Sequence, residues 1–151
     1  MLSKTGVAPK ELVKSVFPLD LSSFKAVIEC YQEIPCNPCE FYCPFDAIEI
    51  GQNINNLPLL IESKCVGCGI CVGVCPGLAI MLVKEENESL LFTIPYELAL
   101  PDNDVCKIVN RTGEVIGDGV ITKVVKTELR TLVTVQCDKQ YLYDFGGILY
   151  E

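Results

Sequence analysis

The segment Cys65-Val-Gly-Cys68-Gly-Ile-Cys71-Val-Gly-Val-Cys75-Pro76 constrains this chain more than any other part of it. Three thiols with two residues between each can turn together around one metal centre. A fourth, set further on and followed by proline, can reach across to a second centre. This is the CxxCxxCxxxCP spacing of bacterial iron–sulfur sites. A Cys-x-x-Cys pair alone also suits zinc, and ten cysteines could form a disulfide framework in a secreted protein. The narrower spacing favours iron–sulfur over zinc. The polar start, Met1 to Lys10, lacks the apolar segment of a secretory signal, so a reducing compartment, the cytoplasm, is expected.

A second, imperfect array comes first in the chain. Cys36, Cys39, Cys43 and Pro44 match Cys68, Cys71, Cys75 and Pro76 at one constant offset, and Cys43-Pro-Phe-Asp-Ala-Ile48 echoes Cys75-Pro-Gly-Leu-Ala-Ile80. The same offset from Cys65 falls on Glu33, which is no thiolate. Upstream, Val27-Ile28-Glu29 resembles Leu60-Ile61-Glu62, so Cys30 directly follows its strand where Cys65 follows its own by three residues. Cys30 is therefore expected to supply the missing thiolate from the strand end, with Tyr31 to Pro35 looping outward. The alternatives are a buried thiol at Cys30 beside a three-iron cluster, or a Glu33 oxygen as ligand; soft iron sites favour sulfur. Crossed ligation then gives two [4Fe–4S] clusters, one on Cys30, Cys36, Cys39 and Cys75, the other on Cys65, Cys68, Cys71 and Cys43. Proline after each closing cysteine lacks an N–H and fixes φ, which can direct the chain around a cube. Gly67, Gly69 and Gly73 leave room for backbone N–H groups to approach sulfur. Val66, Ile70, Val74, Ile48 and Ile80 are expected to form an apolar coat.

The rest of the composition mainly excludes. With 151 residues, half of them apolar and 21% charged, the chain is globular and long enough to append structure to a compact cluster module. A net charge of −8 argues against non-specific nucleic-acid binding. No apolar run approaches the roughly 18 residues of a membrane span. There is no histidine, which removes His-ligated clusters and Ser-His or Cys-His catalysis. No glycine-rich phosphate loop is present. No catalytic residue is assigned.

The pattern reads as α+β in three parts. Residues 1–24 form an N-terminal extension in which Pro9 to Val16 has helical spacing. Residues 25–94 form a two-cluster domain with an internal pseudo-two-fold repeat. Its expected strands are Lys25 to Glu29, Ala47 to Gly51, Leu59 to Glu62, Ala79 to Lys84 and Ser89 to Ile94. Residues 95–151 form a β-rich appendage, a small barrel or sheet, with strands at Val105 to Val109, Val115 to Val125 and Leu132 to Cys137. Gly113, Gly117 and Gly119 are turn or bulge points. Tyr141, Tyr143 and Phe145 either close this core or anchor a subunit interface. Cys106 and Cys137 fall in strands away from the arrays and are expected to be buried as small apolar residues.

Lys25 to Lys84 resembles the bacterial-type two-cluster ferredoxins. More narrowly, Ala26-Val-Ile-Glu-Cys30-Tyr-Gln-Glu-Ile-Pro-Cys36-Asn-Pro-Cys39, with the tail bearing Asn110-Arg-Thr-Gly-Glu-Val115, is similar to the small ferredoxin-like subunits of multisubunit FAD-dependent amino acid dehydrogenases of the dye-linked proline and hydroxyproline type. The shifted first ligand fits that narrower group and departs from stand-alone ferredoxins. The resemblance implies a non-catalytic electron-transfer subunit in a hetero-oligomer, taking electrons from a flavin-containing subunit. A diffusible ferredoxin and a structural metal-binding assembly module are the alternatives.

Overall fold

Apolar residues run unbroken from Ile80 to Val83, which suits a strand covered on both faces rather than one. A computed structural model describes residues 9–31, 35–96, 101, 103–127 and 130–149. It places that strand inside a seven-stranded antiparallel sheet. The strands are β1 (Lys25–Ile28), β4 (Ile80–Glu86), β5 (Ser89–Tyr96), β6 (Val105–Val109), β7 (Val115–Lys126), β8 (Thr131–Asp138) and β9 (Gly147–Leu149), in the order β1-β4-β5-β8-β7-β6-β9. A separate pair, β2 (Ile48–Glu49) and β3 (Leu59–Leu60), lies outside this sheet. Three short α-helices, α1 (Lys10–Val16), α2 (Pro38–Tyr42) and α3 (Ile70–Val74), and two 3₁₀ turns, Glu62–Lys64 and Lys139–Tyr141, complete the described elements.

Successive side chains of a strand point to opposite faces, and here each face meets a different core. Ala26, Ile28, Ile80, Leu82 and Leu132 pack with Ile48, Cys71 and Val72 against the cysteine loops. Val27, Met81, Val83, Leu90, Phe92, Ile94, Val133 and Val135 pack on the other face with Val13 and Phe17 from the α1 region and with Phe145. The rings of Phe92 and Phe145 stack with centroids 4.1 Å apart. The C-terminal aromatic group thus closes the larger core. The cysteine loops rest on a sheet fixed from behind.

Several strand limits differ from the sequence reading for local reasons. Ala47 to Gly51 reduces to Ile48–Glu49 because the Ile50 N–H donates to the Glu40 carboxylate at 2.6 Å and Gly51 turns to φ 88°. Leu59 to Glu62 ends at Leu60, since Glu62–Lys64 coils into a 3₁₀ turn leading to Cys65. The β4–β5 hairpin turns through Asn87 and Glu88, both at positive φ, as the twist of a two-residue connection demands. β7 runs one residue further than expected and carries a register shift between Ile121 and Lys123. Glu33, and with it most of the predicted outward loop, lies outside the described residues.

Candidate metal centre

The two cysteine loops repeat one backbone course. α2 and α3 end at Cys43 and Cys75, whose dihedrals are nearly the same (φ −73°, ψ 112° and φ −68°, ψ 115°). The proline after each cysteine drives it out of helical conformation. Two residues beyond each proline the chain turns through a left-handed residue, Asp46 at φ 53° and Leu78 at φ 54°. That turn brings a backbone donor back onto each cysteine. The Ala47 N–H donates to Cys43 Sγ and the Ala79 N–H to Cys75 Sγ, both at 3.4 Å.

The thiols gather in two groups. Cys43, Cys65, Cys68 and Cys71 line a cavity walled by Ala26, Ala47, Ile48, Leu60 and Leu82, with about 330 Å³ of empty space counting its open mouth. Cys30, Cys36, Cys39 and Cys75 line a second, of about 350 Å³, with Pro38, Asn56, Pro58 and Pro76. Each array therefore contributes its last cysteine to the cavity of the other. Among the described residues, no three His, Cys, Asp or Glu side chains converge as a single-ion site; the thiols stand around cavity walls instead. An all-sulfur donor set of this kind suits soft iron in a cube, whose corners spread four thiolates more widely than one zinc ion does. None of the ten cysteines is in a disulfide.

Burial pushes the Cys71 thiol up to about 12, with further upward pressure from Cys68, Cys65 and Cys43. Cys39 is pushed up to about 11, chiefly by burial; a backbone hydrogen bond from Glu40 opposes this, and Cys75, Cys36 and Cys30 add to it. A metal taking these sulfurs as thiolates releases their protons. Cys106 and Cys137 are buried in the larger core, apart from both groups.

Long-range contacts that periodicity does not reveal hold the loops. β1 is the last strand of its sheet, and from its open edge the Ala26 N–H donates to Cys65 Sγ at 3.4 Å. The Lys25 ammonium bonds the carbonyls of Glu62 at 2.9 Å and Cys65 at 2.6 Å. Arg130 donates to the Cys75 carbonyl at 2.7 Å. Gly67, at φ 72°, lies directly against Phe24. The expected apolar coat is only partly present. Ile48 and Ile80 are buried, but Val66 and Ile70 are 57% and 41% exposed, because the loop turns those positions outward.

Residues 58–81 match the 4Fe-4S binding domain family. The chain is 43% identical over 53 residues to one subunit of the Na(+)-translocating ferredoxin:NAD(+) oxidoreductase complex of Acetobacterium woodii, covering 35% of this chain and 15% of that protein. It is 38% identical over 53 residues to a subunit of the F(420)H(2) dehydrogenase of Methanosarcina mazei, covering 35% and 30%. It is 33% identical over 65 residues to the pyruvate synthase subunit PorD of Methanocaldococcus jannaschii, covering 43% of this chain and 73% of that one. The matched part thus spans under a third of the first two relatives and most of the third. No solved structure matches significantly. Among the described residues, no helix is long and apolar enough to cross a membrane.

Proposed function

The chain belongs to the ferredoxin-type 4Fe-4S binding family, and on that premise we propose that it is an electron-transfer subunit serving a flavin-containing partner in a multisubunit amino acid dehydrogenase. It carries [4Fe–4S] clusters, and its ten cysteines suffice for two. We assign one cluster to Cys30, Cys36, Cys39 and Cys75 and the other to Cys65, Cys68, Cys71 and Cys43. The observation that carries this reading is the pair of four-thiol cavities joined by the exchange of Cys43 and Cys75. Residues 25–94 are the cluster-holding domain in this reading, residues 1–24 an extension, and residues 95–151 the β-rich appendage.

A bound cluster supplies one-electron redox chemistry; the protein supplies its binding, insulation and docking. Ala26, Ala47 and Ala79 direct N–H dipoles at ligand sulfur, which favours the more negative, reduced state. Ile48, Leu60 and Leu82 wall the cavity of Cys65 and exclude water. The sequence has no histidine and no glycine-rich phosphate loop, and in this reading the substrate belongs to a partner. The relatives named above are likewise subunits, of an oxidoreductase complex, a dehydrogenase and a synthase.

Anaerobic isolation of the tagged chain from its own host tests this. The expected particle contains a flavoprotein, and its iron–sulfur absorption bleaches when proline or a related amino acid is added. Clusters on a chain without a flavoprotein would replace the dehydrogenase reading with that of a diffusible carrier.

A further inference from the structure

Cys30 occupies the position that no loop spacing fixes, two residues past the end of β1, so the end of β1 sets its place. The residue between them, Glu29, is held from three sides. Its N–H donates to the Ala79 carbonyl at 2.7 Å, extending the β1–β4 ladder by one bond. Its Oε1 accepts from Tyr31 at 3.3 Å and from Arg111 Nε at 2.7 Å. The Glu29–Arg111 pair is mostly sequestered, with side chains 19% and 15% exposed. Arg111 lies far along the chain, just after β6, and its Nη1 donates to the Tyr143 carbonyl. Its Nη2 is buried without a hydrogen-bond partner. Glu29, Arg111, Cys30, Cys36 and Cys75 all line one open groove.

The corresponding residue in the other half is treated differently. Glu62 accepts backbone N–H groups from Leu19 and Asp20 on an exposed surface. The two cysteine groups therefore sit in unlike electrostatic settings, although their loops follow the same course. A carboxylate shielded from water beside a centre that gains negative charge on reduction opposes that reduction, and a paired guanidinium offsets it.

We infer that Arg111 is a positioning residue for the cluster held by Cys30, Cys36, Cys39 and Cys75: it pins the end of β1 through Glu29 and balances the Glu29 charge beside that cluster alone. The inference rests on the two-cluster ligation proposed above and adds to it a residue outside the cysteine arrays. Glu29→Gln is the primary test, because the amide keeps the shape and an oxygen for the Arg111 Nε–H while removing the negative charge.

Anaerobic redox titration of the intact chain, followed by electron paramagnetic resonance, reads both clusters. The expected result is a rise in one midpoint potential with the other unmoved. In the Glu29→Gln/Arg111→Gln double variant, where both charges are gone, that potential falls back toward the wild-type value. Arg111→Gln alone lowers it. Two clusters whose potentials stay fixed in Glu29→Gln, or shift together, overturn the inference alone. A wild-type protein with one cluster, or a Cys30→Ala variant that retains both, overturns the ligation reading and the inference with it.

Discussion

Gly67, between Cys65 and Cys68, is a position where a single methyl group should do clear harm. Its φ of 72° is in the left-handed region, which costs a residue with a Cβ about 1–2 kcal/mol. A Cβ built there would also stand 2.5 Å from the Phe24 carbonyl oxygen and 2.9 Å from the carbonyl carbon, both backbone atoms that cannot rotate aside. Forcing that overlap open adds about 1–3 kcal/mol, as overpacking in other proteins does. Gly67→Ala should therefore cost about 2–5 kcal/mol, a large part of a typical stability of about 5–15 kcal/mol. Two other glycines separate the contributions. Gly113 has φ 88° but open space where its Cβ would be, so Gly113→Ala should show the backbone penalty alone, about 1–2 kcal/mol. Gly77 has neither constraint, and Gly77→Ala should be neutral or stabilising by about 0.4–1 kcal/mol. Thermal unfolding of the three cluster-loaded variants gives the ranking, at about 2–4 °C per kcal/mol for a chain of this size. Because the displaced loop also carries Cys65 away from the Ala26 N–H, Gly67→Ala should lose iron as well. A Gly67→Ala variant no less stable than Gly113→Ala, with full iron, would refute the argument.

Cys30→Ala should lower the iron content by destabilising one cluster, while Cys106→Ala, buried in the larger core, leaves it unchanged; iron and sulfide analysis decides. Lys25→Met removes the donor shared by the Glu62 and Cys65 carbonyls and should cost about 1–3 kcal/mol, read by denaturant unfolding. Burial, with smaller contributions from Asp138 and Cys106, pushes the Cys137 thiol up to about 12 from an ordinary 9.0. The folded state thus holds a proton that the unfolded chain gives up. The stability associated with it is complete below pH 9.0 and declines as the pH rises toward about 12. Cys137→Ala should flatten that alkaline decline relative to wild type in unfolding midpoints measured across the range.

The cysteine spacing and the echo of Cys43-Pro by Cys75-Pro were legible because they are local: proline sets the preceding cysteine's backbone, and both loops then follow the same turn through Asp46 and Leu78. Most strands were legible too, since β1, β5 and β8 carry several β-branched or aromatic residues and β4 an unbroken apolar run. The unbroken apolar run of β4 gave no hint of which face meets the cysteines; only its pairing with β1 sorts Ile80 and Leu82 from Met81 and Val83. Val66 and Ile70 depart from the expected coat because an apolar side chain inside a ligand loop can point outward when the thiols take the interior. Lys25, Arg111 and Arg130 escape a sequence reading for a different reason. Each is an ordinary cation in sequence, and its role arises from a carbonyl or carboxylate that only the folded chain brings near.

The central claim is that one chain holds two [4Fe–4S] clusters by crossed ligation. Native mass spectrometry of the anaerobically purified protein weighs them directly, and Cys43→Ala and Cys75→Ala measured alongside assign the crossing. The account predicts a wild-type mass increment of two cubes, with Cys43→Ala weakening retention of the cluster on Cys65, Cys68 and Cys71, and Cys75→Ala that of the cluster on Cys30, Cys36 and Cys39. A mass corresponding to zinc, to a single cube, or to both clusters retained in both variants would contradict it.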